Sequence, residues 1–288
     1  MSIIVTGASG QFGRLAVEAL LRRGVAAADI VATARTVDRV KDLADRGVVV
    51  RHADLADPAS LRDAFAGAEK LLLVSTTVPS ERRANHRRAI DAALDAGVSL
   101  IAYTSQLRAD SATTVLGTGH RQTEEDLRDS NAPAAILRNG WYLENFTDQL
   151  PVYLEHHAIV GAGGEGRASA AARADYADAA AAVLTTEGHA GAVYELGGDA
   201  AFTLSELAAA VSSATGEQVS YQDVSVAQLA DIYRGAGVPG EIAEAIADAD
   251  RGLSQGELYS DSDDLRRLIG RPATSLSDAI AAALKQAS

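Results

Sequence analysis

Thr6-Gly7-Ala8-Ser9-Gly10-Gln11-Phe12-Gly13 is the stretch from which the rest of the chain can be read. Its glycines are spaced G-x-x-G-x-x-G. An apolar run, Ser2 to Thr6, precedes it. After it, Phe12, Leu15, Ala16, Ala19 and Leu20 fall at i, i+3, i+4, i+7 and i+8, the spacing of one helix face. The reading is strand, tight turn, helix, with Gly24 closing the helix as its C′ residue. Glycine lets a backbone turn sharply and approach a pyrophosphate closely. The helix N-terminus offers that anion free N–H groups and a partial positive charge. A tight turn without a ligand would need similar glycines, but the strand–turn–helix setting favours a dinucleotide. Gly7, Ser9, Gly10, Gln11 and Phe12 are therefore candidate cofactor contacts.

Outward from this loop, short β-rich runs alternate with helical patterns. Strands are predicted at Asp29 to Ala34, Val48 to His52, Leu71 to Ser75, Ser99 to Thr104 and Ala134 to Arg138. A helix is predicted from Ser80 to Ala96, with Ser80 as N-cap. Alternation of this kind predicts an α/β fold, a doubly wound parallel sheet of Rossmann type. After Pro151 the pattern changes. Gly161 to Gly166 reads as a loop, and helices are predicted at Tyr176 to Thr185, Leu204 to Ala214, Val226 to Ala236, Ile242 to Ala249 and Leu276 to Leu284. Short strands are predicted at Val193 to Leu196 and Val219 to Gln222. The expected organisation is an NADPH-binding domain over 1–150 and a smaller, mostly helical substrate-side lobe over 151–288, partly packed back on the sheet.

The cofactor preference is read at the tip of the second strand. An NAD site needs a carboxylate there for the ribose diol. This strand ends in Arg35, and a guanidinium suits a 2′-phosphate, so NADPH is the expected cofactor. Arg39, one turn further on, either assists or is solvated.

Composition narrows the function. The 288 residues carry a net charge of −13, which argues against phosphate neutralisation on nucleic acid and against anionic membrane surfaces. With no cysteine, disulfides, thiolate nucleophiles and zinc-thiolate sites are excluded. No run approaches the ~20 apolar residues of a membrane helix, and no signal peptide is expected. The expectation is a cytoplasmic protein with a small-molecule partner, no nucleic acid and no membrane insertion; homo-oligomerisation is left open. Alanine abundance reads as compositional bias.

Familiar catalytic devices are missing. None of the eight tyrosines has lysine four residues on, so there is no Tyr-x-x-x-Lys relay. There is no H-E-x-x-H and no G-x-S-x-G. Glu81 to Arg88 reads as a solvated basic helix face, and His120 with Glu124, at i and i+4, as a surface pair.

Beyond the glycine loop, Leu71-Leu-Leu-Val-Ser75, Ile101-Ala-Tyr-Thr-Ser105, Leu137-Arg-Asn-Gly-Trp-Tyr-Leu-Glu-Asn145 and Ala172-Arg-Ala-Asp-Tyr176 resemble the NmrA-like branch of atypical short-chain dehydrogenases/reductases. The likeness covers nearly the whole chain and leans toward the branch's NADPH-dependent quinone reductases. It implies that Asp54 and Leu55 meet the adenine, that Ser75 and Thr76 lie along the ribose and pyrophosphate, and that Tyr103, Thr104 and Ser105 approach the nicotinamide. It also implies that the branch's usual relay positions fall on His120 and Glu124. A quinone accepts hydride readily and its reduced form needs little help to gain protons, so orientation is the main demand. Trp141, Tyr142 and Phe146 offer flat faces, and Asn139 an amide for a carboxamide or a quinone oxygen. Asn139, Trp141 and Tyr142 are the candidate catalytic residues. The alternatives are a dinucleotide-binding redox sensor without catalysis, or an NADPH reductase of dyes or imines.

Overall fold

The computed structural model describes residues 2–76 and 78–287. In the first half, strands and helices alternate: β1 (Ile3–Val5), α1 (Gln11–Arg22), β2 (Ile30–Ala34), α2 (Lys41–Ala44), β3 (Val49–His52), α3 (Pro58–Phe65), β4 (Lys70–Leu73), α4 (Pro79–Asp95), β5 (Leu100–Gln106), α5 (Val115–Asp129) and β6 (Ala134–Asn139). The second half runs α6 (Glu144–Thr147), α7 (Leu150–His156), β7 (Ala158–Gly161), α8 (Arg173–Thr185), β8 (Val193–Leu196), α9 (Leu204–Thr215), β9 (Ser220–Asp223), α10 (Val226–Gly235), α11 (Gly240–Ser254), α12 (Asp264–Ile269) and α13 (Leu276–Ala287).

Seven strands form one parallel sheet in the order β3-β2-β1-β4-β5-β6-β8. The order reverses at β1, so the chain ends of β1 and β4 open a crevice at the carboxyl edge. Alternation along each strand separates two layers. Ile3 and Val5 pack with α1 and α8, whereas Ile4 packs with α3 and α4. The predicted doubly wound sheet is present.

Several boundaries moved for local reasons. Helix α4 begins at Pro79 with Val78 as N-cap; Pro79 occupies the first helical turn, where a missing N–H costs nothing, and Ser80 lies inside the helix and caps nothing. β7 is a strand that the sequence pattern does not predict; it pairs in parallel with β9, from Ala158↔Ser220 to Gly161↔Asp223. A four-residue run whose partner lies 62 residues away carries little local signal. The alanine content has a packing use: Ala177, Ala179, Ala180, Ala181 and Ala182 of α8 are all buried, letting that helix lie close on α1 and the sheet. In space α8 and β8 belong to the Rossmann layers although they follow residue 150 in the chain.

The remaining elements build a second core from Leu143, Leu150, Ile159, Phe202, Leu207, Leu253 and Ile280. Asp250 lies in this lobe and accepts the Ala162 N–H at 2.8 Å. Burial raises its carboxyl from 3.8 to about 6. The folded form therefore prefers the protonated acid. Its contribution to stability is complete below the unfolded value and is lost as pH rises through about 6. Asp250→Asn keeps an acceptor for Ala162 and cannot ionise. It is expected to raise stability at neutral pH by about 2 kcal/mol, the shift discounted for partial exposure, with the gain vanishing toward pH ~4. Denaturant melts at the two pH values check this; an equal effect at both would overturn it.

Candidate functional site

The crevice is a cleft of about 800 Å³ along the carboxyl edge of the sheet. Its floor begins at the glycine loop. Gly7 has φ +63°, a left-handed conformation that favours glycine. Ala8 N–H donates to Thr33 O at 2.9 Å, and Gly10 N–H to Gly7 O at 2.9 Å, which folds the turn. A Cβ on Gly13 would stand 2.4 Å from Gly7 O, so the helix can only seat against the loop with glycine there. Gly10 is the N-cap of α1 without a side-chain cap, and no acid stands in the first turn. The first N–H groups of α1 are thus open to an anion. Gly7, Ser9, Gly10, Gln11 and Phe12 all line the cleft.

At one end, Arg35 stands exposed at the β2 tip and lines the cleft; among the described residues no carboxylate pairs with it. Arg39 does not reach the cleft wall. Asp54 and Leu55 line the same end, the Asp54 carboxylate turned back onto the Ala56 N–H at 2.9 Å. In the middle, Val74, Ser75 and Thr76 continue from β4. Thr6 Oγ1 holds the Val74 N–H at 2.8 Å and Thr104 Oγ1 holds the Ser75 N–H at 2.8 Å.

Tyr103 and Thr104 are corrections. The Tyr103 ring is fully buried in the layer with α4, and Thr104 is buried behind Ser75; neither lines the cleft, and of this trio only Ser105 does. Tyr103 instead shares a 2.8 Å hydrogen bond with His120 Nδ1. The surface reading of the two helix faces holds for the exposed Glu81, Arg83 and Arg87 and fails for four other residues. Arg82 and His86 of α4, and His120 and Glu124 of α5, are buried. His86 Nε2 accepts the Thr76 N–H at 3.1 Å, and Arg82 donates to Thr76 O through Nε at 3.1 Å and Nη2 at 2.9 Å. Both polar groups of the Thr76 backbone are thereby held by α4. Burial, with Arg82 beside it, lowers the His86 pKa to about 3, so it stays neutral. Glu124 takes Arg138 Nε and Nη2 at 3.0 and 2.7 Å and the Ser105 hydroxyl at 2.5 Å. Arg138 also meets Glu195 at 2.7 Å. This is a buried framework under the cleft floor, and Glu124 itself does not face the cleft.

At the other end β6 delivers Asn139, Gly140, Trp141 and Tyr142. A Cβ on Gly140 would meet Ser169 O at 2.5 Å and the Tyr176 hydroxyl at 2.6 Å, so glycine is required where the chain passes between them. Tyr176 accepts the Ala171 N–H at 3.0 Å, and a bridge joins Tyr142 to Ala171. Tyr142 stacks on Phe12, with ring centroids 6.1 Å apart, and the Arg173 guanidinium lies 5.0 Å above its ring. Desolvation pushes the Tyr142 phenol up to about 12, so it is a hydrogen-bond donor at neutral pH. Asn139 lies beside that phenol, yet both of its amide atoms are buried without a partner, as are Thr76 Oγ1 and Trp141 Nε1. Leu116, Leu258 and Val78 add apolar wall to the cleft, and Leu258 shares a core cluster with Trp141. Leu258 is held there because Glu257 accepts the Thr113 N–H at 2.8 Å and the Thr114 hydroxyl at 3.0 Å.

Buried polar atoms without partners are costly, and natural proteins keep them where a ligand completes them. Here those of Thr76, Asn139 and Trp141 lie along one cleft that starts at a phosphate loop. Together with the doubly wound sheet, this cleft defines a dinucleotide-binding Rossmann protein. The chain belongs to the NmrA-like family, whose model matches residues 1–278. It is 45% identical to quinone oxidoreductase 2 of Escherichia coli (strain K12) over 278 residues, covering 96% of this chain and 97% of that protein. Among solved structures, it matches the NADPH-dependent quinone oxidoreductase of Escherichia coli complexed with NADPH, at TM-score 0.95 and 44% identity, over 98% of this chain and 99% of that one. It also matches the Citrobacter sp. triphenylmethane reductase complexed with NADP(H), at TM-score 0.93 and 39% identity, over 98% and 100% of the two chains.

Arg82, Arg173 and Leu258 on the cleft wall were not singled out from sequence. Arg82 sat within a charged run that looked solvated. The one available signal was its i, i+4 spacing with His86, which puts both on one helix face.

Proposed function

We propose that this chain is a cytoplasmic NADPH-dependent reductase that transfers hydride to a quinone or similar conjugated acceptor. The observation that carries the reading is the single cleft joining an unpaired Arg35, a phosphate loop and the orphaned Asn139 and Thr76 polar atoms to an aromatic pocket at Trp141. Bound there, NADPH would supply hydride. Arg35 would hold the 2′-phosphate, with Leu55 against the adenine. The loop from Gly7 to Phe12 would hold the diphosphate, Ser75 and Thr76 the ribose. Asn139, Ser105 and Tyr142 would orient the nicotinamide. Trp141, Leu116 and Leu258 would hold a planar acceptor and exclude water, which strengthens orientation and electrostatics at the reacting centre. The names of the two relatives, a quinone and a dye reductase, agree with a conjugated acceptor. NADPH oxidation across a panel of quinones, dyes and enones, with a no-acceptor control, tests the reading; binding without turnover on any acceptor would favour the redox-sensor alternative.

Two expectations follow for variants. Arg35→Ala should weaken NADPH binding by about 1.5–3 kcal/mol and leave NADH binding nearly unchanged, because only NADPH carries the 2′-phosphate. Titration of both cofactors decides it, and equal losses would remove the specificity role. Trp141→Ala should cut turnover about tenfold or more by opening the pocket, whereas Tyr142→Phe should cost less, since the ring faces that stack on Phe12 and Arg173 remain. Turnover at saturating NADPH with one quinone compares them, and the reverse order would point to the Tyr142 hydroxyl as a proton donor.

A further inference from the structure

We propose that Arg82 and His120 form an oxyanion-stabilising subsite in the cleft, which holds the anion produced when hydride adds to a quinone. The inference rests on the reductase reading and adds the chemistry at the acceptor oxygen. Arg82 is 4% exposed, lines the cleft, and has no carboxylate partner among the described residues. Its guanidinium donates to carbonyl oxygens only, Thr76 O twice and Leu116 O at 3.2 Å. Three of the five N–H donors of an arginine are so engaged, and the charge itself is not neutralised. Burying an ion without a counter-ion costs several kcal/mol, a cost that an anion in the cleft would offset. A Cβ on Gly119 would stand 3.2 Å from Arg82 Nη1, so the guanidinium lies against the turn of α5 that carries His120.

His120 completes the arrangement. The Tyr103 hydroxyl is fully buried and lies 2.8 Å from His120 Nδ1, and in the proposed arrangement the phenol donates to that nitrogen. Accepting at Nδ1 fixes the tautomer with the proton on Nε2. His120 lines the cleft, and among the described residues none accepts from that Nε2–H. Burial, with Arg82 and His86 nearby, holds its pKa well below the ordinary histidine value, so the ring is neutral and serves as a donor. A neutral N–H donor backed by a fixed positive charge is what a developing oxyanion requires. The step balances simply. Hydride with its electron pair leaves nicotinamide C4, whose C–H bond breaks to give NADP+, and forms an O–H bond on one quinone oxygen, so the product is a hydroquinone monoanion. Its remaining oxygen carries the charge until it takes a proton from water.

The test uses the protein loaded with NADP+ and a stable mimic of that anion. 4-Nitrophenolate is titrated against the neutral isostere nitrobenzene for wild type, Arg82→Gln, Arg82→Lys, His120→Ala and His120→Gln, and single-turnover quinone reduction is timed for each. Wild type should favour the phenolate at least about tenfold. Arg82→Gln and His120→Ala should each lose that preference. His120→Ala should also slow reduction about 10²-fold with NADPH affinity unchanged. Arg82→Lys and His120→Gln, which keep the charge and an N–H donor, should recover part of both. Phenolate preference retained in Arg82→Gln or His120→Ala, or reduction at the wild-type rate in His120→Ala, would overturn the subsite. A wild type that binds the phenolate through these residues yet reduces no quinone would uphold the subsite and overturn the quinone reading.

Discussion

Gly10→Val is expected to yield a folded protein that binds NADPH at least about 100-fold more weakly, a loss near 2.7 kcal/mol or more. Gly10 has extended backbone angles, φ −88° and ψ 165°, so a side chain is compatible with its conformation. The nearest atom to a Cβ there is Gly7 O at 3.3 Å, which a small shift of the loop relieves. The added isopropyl group then stands over the open N–H groups of α1, where the diphosphate must approach. Gly13→Val is the contrasting case. Its Cβ would be 2.4 Å from Gly7 O and 2.7 Å from Gly7 C, both backbone atoms, and the loop cannot seat at all. Circular dichroism and NADPH titration separate the two. Tight binding by a folded Gly10→Val protein would show that the diphosphate does not lie on this loop.

The second large effect concerns stability. Glu124→Ala is expected to destabilise the fold by about 3–5 kcal/mol, because it removes one partner of a buried ion pair and leaves the other. Arg138 would lose two charge-assisted hydrogen bonds, of 3.0 and 2.7 Å, and Ser105 would lose the acceptor of its hydroxyl. Glu195 retains its 2.7 Å contact with Arg138 and keeps the loss from being larger. Glu124→Gln retains one acceptor oxygen and should cost less. Urea unfolding of the two variants measures the difference. A loss under about 1 kcal/mol in Glu124→Ala would mean that Arg138 is satisfied by Glu195 and Asp110 alone. Of the two positions where the resemblance implies a relay, Glu124 is bound to Arg138 under the cleft floor and His120 lines the cleft.

What the sequence determined by itself was local and repetitive. The glycine spacing, the 3.6-residue periodicity of α1 and the β-rich runs between helical patterns specify strand, loop and helix through contacts a few residues apart. Right-handed crossovers then leave few topologies, and the parallel sheet and its phosphate loop follow. The aromatic Trp141-Tyr142 pair and Arg35 were legible for the same reason: each sits at the end of a recognisable strand. What tertiary structure decided was which face each side chain meets. Tyr103 and Thr104 are adjacent, and strand alternation sends one into the α4 layer and the other behind Ser75. No composition or spacing tells an isolated strand which face will carry the cleft. Arg82, His86, His120 and Glu124 looked solvated because charged residues on a helix usually are. They are buried because α4 and α5 pack together, where the Thr76 backbone, the Tyr103 hydroxyl and Arg138 satisfy them at hydrogen-bond distance. Those partners lie 6 to 17 residues away in the chain and on other elements, so only the packed fold brings them within reach.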